Sequence, residues 1–238
     1  MINFKLPKEA DIVFNTLAAN GYEGYLVGGC IRDLIMNKTP GDYDFAVSSL
    51  PFQTEECFKD YQVIKTGIKH GTLTVRINDY FFELTSFRTE GEYLDSRHPS
   101  SVSFTPSLSE DLKRRDFTVN AIAYTPAKGL VDIFGGRRDI ERKIISCVGN
   151  PMERFNEDAL RIMRALRFSS VLGFSISEDT KNAIHSKKEL LKNIAVERIY
   201  EEMNKLISGK PDSILKEFSD VFSLILPGFS HNFSLDNS

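Results

Sequence analysis

The stretch at residues 28–47, GGCIRDLIMNKTPGDYDFAV, decides how this chain is read. The apolar run GYLV (24–27) leads into the glycine pair Gly28-Gly29. Residues 31–36 have the composition of a short helix, NKTPG (37–41) is a turn, and DYDFAV (42–47) alternates as a strand does. On that strand Tyr43, Phe45 and Val47 share one face. Asp42 and Asp44 share the other, because side chains two residues apart leave the same side. The frame is strand, glycine turn, helix, turn and strand, with a D-x-D opening the second strand.

Neighbouring carboxylates repel, and each is costly to bury. A solvated strand end tolerates them. So does a divalent cation, since Mg²⁺ takes one or two carboxylates and completes its shell with water and substrate phosphates. The glycine pair likewise reads as a plain tight turn or as a place where backbone N–H groups approach a phosphate. Arg32, at the helix start, adds a guanidinium fork suited to phosphate. Asp33 reads as structural.

The chain has 238 residues, of which 41% are hydrophobic. That suffices for one large or two small domains with a real core, and it excludes global disorder. No run of about 18 apolar residues is present, so no membrane span is expected. The opening MINFKLPKEADIVF lacks a signal peptide's apolar core. The three cysteines, Cys30, Cys57 and Cys147, show no zinc spacing and fit a reduced, cytoplasmic protein. A net charge of −3 argues against a non-specific polyanion binder. Yet residues 110–170 hold 12 Lys/Arg against 9 Asp/Glu, a local +3 that leaves −6 for the rest. Such a distribution points to a focused anion site.

Further along, helices are expected at 8–19, 51–59, 110–120 and 137–143. Strands are expected at 61–65, 72–77, 80–87, 121–125, 130–136 (with its turn) and 144–148. The polar stretch 88–101 reads as a mobile loop. Gly149-Asn150-Pro151 is the clearest boundary, and beyond it every strong pattern is helical: 152–172, 177–191, 196–207 and 211–224. The expected architecture is a mixed α/β domain over 1–149 followed by an all-helical region.

Two later segments carry chemistry. In EDLKRRDFTVNA (110–121), Lys113, Arg114 and Arg115 abut Asp116, and Asn120 precedes a buried strand. A solvated helix face and the border of a cleft both fit. In EDALRIMRALRF (157–168), about 100° per residue puts Ala159, Ile162, Met163 and Leu166 on one face. Asp158, Arg161, Arg164 and Arg167 descend the other face as a ladder without compensating acids. Helix surfaces usually mix signs, so a charged ligand is favoured over a solvated face. Asp158 and Arg161 also form a donor–acceptor pair suited to the edge of a base.

Together these residues resemble the signature of the class II tRNA nucleotidyltransferases (CCA-adding enzymes) and poly(A) polymerases, within the polymerase-beta-like nucleotidyltransferase superfamily. The resemblance is carried by LVGGCIRDLIMNKTPGDYDFAV, TGIKHGTLTV (66–75), EDLKRRDFTVNAIAY (110–124), VDIFGGRRDIERKIISCVG (131–149) and EDALRIMRALRFSSVLGF (157–174). It runs almost continuously over residues 8–209. It implies a catalytic head (1–149), a helical neck that selects nucleotides (150–210) and the start of a helical body cut short (211–238).

The resemblance also implies roles. Asp42 and Asp44 are the catalytic carboxylates that carry Mg²⁺, of the two-metal type. Gly29 and Arg32, with Gly28 beside them, contact the incoming nucleotide; Arg115 contacts its triphosphate, and Asn120 lies near the ribose. Asp158 and Arg161 select cytosine or adenine without a template, and Arg164 and Arg167 add nucleotide contacts. Glu83 is the candidate third carboxylate, or else a plain outward strand residue. The segment 90–97 is implied to act in switching from C to A addition. The implied partners are the tRNA 3′ end, CTP and ATP, with no membrane. A-only, CC-only and poly(A) addition, or a nucleotide-binding remnant, are the rivals. The long 88–101 stretch leans away from CC-only addition. Family members usually continue through body and tail domains that hold tRNA, so the resemblance bears on the nucleotide site more than on the tRNA grip.

Overall fold

The computed structural model describes residues 4–91 and 101–226. They fall into two compact units, residues 4–91 with 101–140 and residues 141–226.

The first unit opens with α1 (Lys8–Ala19), β1 (Gly24–Val27), α2 (Gly29–Ile35), β2 (Tyr43–Val47) and α3 (Pro51–Cys57). Strands β3 (Gln62–Ile64), β4 (Thr72–Ile77) and β5 (Tyr80–Ser86) follow, then the pair β6 (Arg88–Glu90) and β7 (Val102–Phe104). Helix α4 (Leu108–Lys113), β8 (Ile122–Thr125), β9 (Gly129–Asp132) and α5 (Gly136–Arg142) complete the run. Seven strands form one mixed sheet in the order β3-β4-β5-β2-β1-β8-β9. All its pairings are antiparallel except β2 with β5.

Local sequence explains the pieces. In α1, Ala10, Val13, Phe14 and Leu17 are buried at helical spacing, and Glu9 and Asp11 suit the positive helix start. In β4, buried Leu73, Val75 and Ile77 alternate with Thr72, Thr74 and Arg76. One sheet face packs under α1, where Phe14 meets Phe45 edge-on at 5.0 Å. The other face carries a core of Tyr25, Val27, Ala46, Phe87, Leu112 and Ala123, which holds α4 over the strand ends. Covered on both sides, β1 and β8 are buried at every position.

The second unit contains β10 (Ile144–Ile145), α6 (Pro151–Glu157), α7 (Leu160–Leu172), β11 (Ser175–Ile176), α8 (Glu178–Lys187), α9 (Val196–Ile207), α10 (Asp212–Glu217) and α11 (Ser219–Ile225). Its core gathers Phe155, Ile162, Met163, Leu166, Ile184, Leu206, Phe218 and Phe222. Among the described residues no helix is long and apolar enough to cross a membrane.

Several expected elements differ. The strand expected at 144–148 is Ile144–Ile145 and pairs in parallel with Ser175–Ile176, within the second compact unit, which begins at residue 141. The helix expected over 110–120 ends at Lys113. Asp116 Oδ1 accepts the N–H of Phe117 at 2.8 Å, a local bond that competes with the helix, and residues Thr118–Asn120 form a 3-10 turn. The helix expected over 152–172 breaks at Asp158, whose φ and ψ are −140° and 105°. Its carboxylate accepts the N–H of Leu160 at 3.0 Å and caps the next helix. The segment expected at 211–224 is two short helices. Within the stretch read as a loop at 88–101, residues Arg88–Glu90 form a strand, and residues 92–100 lie outside the described residues.

Candidate functional site

In the first unit, strand β1 runs out at Val27 and the chain turns through Gly28, with φ 76° and ψ −139°. That region is costly for any residue with a Cβ, which is why glycine stands there. Arg115 Nη1 comes to this turn, 3.4 Å from where a Cβ at Gly28 would stand. Arg115 donates from Nη2 to Asp111 Oδ2 at 3.1 Å. Its Nε is buried without a hydrogen-bond partner among the described residues, which is a donor left over for a ligand.

Arg32, one turn into α2, is held from two sides. Its Nη1 donates to Asn120 Oδ1 at 2.9 Å, while Nε and Nη2 both reach Asp33 Oδ1 at 2.9 and 2.8 Å. Buried Asn120 in turn donates to Asp116 Oδ1 at 3.4 Å. The 3-10 turn bearing Asn120 is fixed from behind, since a Cβ at Gly136 would sit 2.0 Å from the Thr118 carbonyl oxygen. The G-G of VDIFGG thus serves a close backbone approach.

The carboxylates sit on the neighbouring strands. Asp44 is half-buried on β2, and Asp42 is exposed one residue before that strand. Because β2 and β5 run parallel in register, Glu83 stands beside Asp44 on the same face. Burial, and then the charges of Asp42 and Glu83, push the Asp44 carboxyl up to about 6 against the pull of Arg115. The structure therefore brings Gly28, Gly29, Arg32, Asp42, Asp44, Glu83, Arg115 and Asn120 into the first unit, with carboxylates and guanidiniums as near neighbours.

This donor set fits a divalent cation. After burial, the charges of Asp42 and Glu83 raise the Asp44 carboxyl, and a cation there would offset that repulsion. Among the described residues no three His, Cys, Asp or Glu side chains close on one point. Two carboxylates with phosphate oxygens and water remain the usual complement of Mg²⁺. Cys30 has a structural place: burial pushes its thiol up to about 12, and it donates to the Val27 carbonyl.

In the second unit the arginine ladder is compensated, contrary to the sequence expectation. Arg161 is buried and donates to Glu157 and to the Arg154 carbonyl, at 2.5 and 3.1 Å. Glu157 also meets Arg154 at 2.6 Å. Buried Glu202, on α9, lies 2.6 Å from Arg167 and 3.9 Å from Arg164. Both arginines stack over the Phe168 ring, at 5.4 and 3.9 Å. Asp158 receives Arg198 at 3.3 Å besides capping α7. A carboxylate accepts about four hydrogen bonds, so acceptor capacity remains at Asp158.

The sequence reading missed Asp111, Glu157 and Glu202. Glu157 was visible as the residue four before Arg161, the usual spacing of a helical ion pair. Glu202 comes from another helix, and no local pattern announces it.

The family model described as the poly A polymerase head domain matches residues 24–146. The one described as the probable RNA- and SrmB-binding site of polymerase A matches residues 173–228. The CCA-adding enzyme of Oceanobacillus iheyensis is 48% identical over 202 residues, covering 85% of this chain and 50% of that protein. The crystal structure of the Bacillus stearothermophilus CCA-adding enzyme in complex with CTP superposes with a TM-score of 0.82 at 43% identity, covering 94% of this chain and 54% of that one. A tRNA nucleotidyltransferase complexed with a primer tRNA and an incoming ATP analog gives 0.73 at 28% identity, covering 92% and 63%. The chain spans about half the length of the curated relatives it matches.

Proposed function

We propose, since this chain belongs to the family of class II CCA-adding enzymes and poly(A) polymerases, that it adds C and A from CTP and ATP to the 3′ end of tRNA in the cytoplasm. No nucleic acid template is used, and pyrophosphate is released. The primer 3′-oxygen bonds to the α-phosphorus, and the bond from that phosphorus to the bridging oxygen breaks.

One observation carries this reading. The carboxylates of Asp42 and Glu83 and the guanidinium of Arg115 all act on Asp44, and Arg115 and Arg32 line the glycine turn at Gly28 and Gly29. A triphosphate with its counter-cation asks for that combination. Asp42 and Asp44 are the residues that would hold Mg²⁺, with Glu83 as their neighbour. When bound, the ion supplies Lewis acidity that favours loss of the 3′-hydroxyl proton and neutralises the leaving pyrophosphate. Arg115 and Arg32 balance the triphosphate charge, and the preset geometry spares reorganisation during transfer. Asn120, held by Arg32 and Asp116, faces the ribose role. In the second unit Asp158 and Arg161 read the base edge, and Arg164 and Arg167 add contacts to the nucleotide. The support there is their fixed geometry: each is anchored by Glu157, Glu202 or Arg198 and so presents a defined shape.

The test is incorporation by this chain with Mg²⁺, using tRNA that lacks CCA and tRNA that ends in CC, with CTP or ATP. The expected products are two C residues and then one A on the first substrate, and one A on the second. A single class of addition would make it an A-only or CC-only enzyme, a long homopolymer a poly(A) polymerase. Saturable nucleotide binding with no product would leave a binding protein.

Gly28→Ala tests the turn. A Cβ in this sparsely populated region, at φ 76° and ψ −139°, costs about 1–3 kcal/mol, and it would touch Arg115 Nη1. A loss of stability of that size in urea, with several-fold weaker CTP binding, is expected. Wild-type values for both would remove Gly28 from the site.

A further inference from the structure

We propose that Asp111 is the positioning residue for Arg115: it divides its carboxylate between the two arginines and the first residue of the β6–β7 pair, and so aims Arg115 at the triphosphate. The proposal rests on the reading of Arg115 given under the proposed function.

Asp111 is fully buried on α4, where an unpaired carboxylate would be very costly. Its two oxygens have separate tasks. Oδ1 accepts from Arg114 Nε and Nη2 at 3.0 and 2.7 Å, and from the backbone N–H of Arg88 at 3.4 Å. Oδ2 accepts from Arg115 Nη2 at 3.1 Å. The Arg115 plane is therefore clamped at one end. Its other terminal nitrogen, Nη1, reaches the space beside Gly28, and Nε carries no partner among the described residues. Charge follows the same logic. The shared carboxylate lets two neighbouring guanidiniums lie together that would otherwise push apart. Burial alone would push the Asp111 carboxyl up, but Arg115 and Arg114 outweigh it and hold it below the ordinary range. It is a carboxylate at neutral pH.

Leu112, beside Asp111, supplies the packing of α4 on the sheet. The amide of asparagine matches the carboxylate in size, so Asp111→Asn keeps the volume and removes the charge that orients Arg115.

The test is calorimetric titration of the full chain with inorganic tripolyphosphate, and with CTP and UTP, in Mg²⁺. Asp111→Asn should weaken tripolyphosphate and CTP alike by about tenfold, the scale of one lost charge-assisted contact. The ratio of CTP to UTP affinity should not change, because the base is read elsewhere; the stoichiometry of the titration should stay at the wild-type value, whereas a loss of folded protein would lower it. Arg115→Gln should weaken tripolyphosphate by a similar factor, and the double variant should bind no worse than Arg115→Gln alone. If Arg115→Gln binds tripolyphosphate as wild type does, the triphosphate role of Arg115 falls, and the proposal with it. If Arg115→Gln is weak and Asp111→Asn is not, or if the two losses multiply in the double variant, the positioning role alone is overturned. Should Asp111→Asn fail to fold, Asp111→Glu carries the test. Its longer side chain shifts the clamp, so a several-fold loss is expected, and unchanged affinity would overturn the proposal.

Discussion

Changing Asp44 to asparagine should lower nucleotide incorporation by on the order of a thousandfold, the rate equivalent of several kcal/mol of metal-borne stabilisation. The same change should make the metal-free protein more stable. Burial, with Asp42 and Glu83, raises the Asp44 carboxyl to about 6, well above its unfolded value. The folded chain therefore binds that proton more tightly than the unfolded chain does. The resulting stability is present in acid and is lost as pH rises through about 6. Near neutrality and above, the charged carboxylate burdens the fold, and asparagine does not carry that burden. Thermal melts in a chelating buffer should show Asp44→Asn melting several degrees above wild type near pH 8, with the gap closing by about pH 4. A variant that loses activity and stability together would place Asp44 in a structural ion pair.

The second large effect is at Arg161. Truncation to alanine removes a buried guanidinium that satisfies Glu157 and the Arg154 carbonyl. Breaking such a buried charged contact typically costs about 3–5 kcal/mol. Because Arg154 still pairs Glu157, the lower end of that range is expected in urea titration. Base choice supplies an independent readout. The ratio of kcat/KM for CTP or ATP to that for GTP or UTP does not depend on the fraction of enzyme folded. It should shrink in Arg161→Ala more than triphosphate affinity does. If all four nucleotides are discriminated as before, Arg161 is a structural residue of the helical unit.

The sequence was most informative where local chemistry and fold agree. Helix α1 ends where its apolar spacing ends, and the strands of the sheet follow their alternation. The G-G and D-x-D, 13 residues apart between Gly29 and Asp42, meet because β1 and β2 are adjacent antiparallel strands. Glu83 lies next to Asp44 for a reason no local pattern carries, the parallel register of β2 and β5. What stayed hidden involves partners distant in sequence or breaks within a continuous period. The apolar repeat runs unbroken through Asp158, so a cap there looks like one more polar helical position. Glu202 answers Arg167 from a different helix. Strand β10 finds its partner in β11, thirty-odd residues on. Asp111 sits in an acid–base run that resembles a wet helix surface, yet it is among the most buried residues of the chain.

The most direct measurement pairs wild type and Asp44→Asn in one assay: label transferred from α-labelled CTP to tRNA lacking its CCA end, with pyrophosphate counted in parallel, in Mg²⁺. The structure leads us to expect CMP joined to the 3′ end and pyrophosphate released one for one by wild type, and neither by Asp44→Asn. Incorporation that survives in Asp44→Asn at the wild-type rate would contradict the assignment of the head as the transferase site.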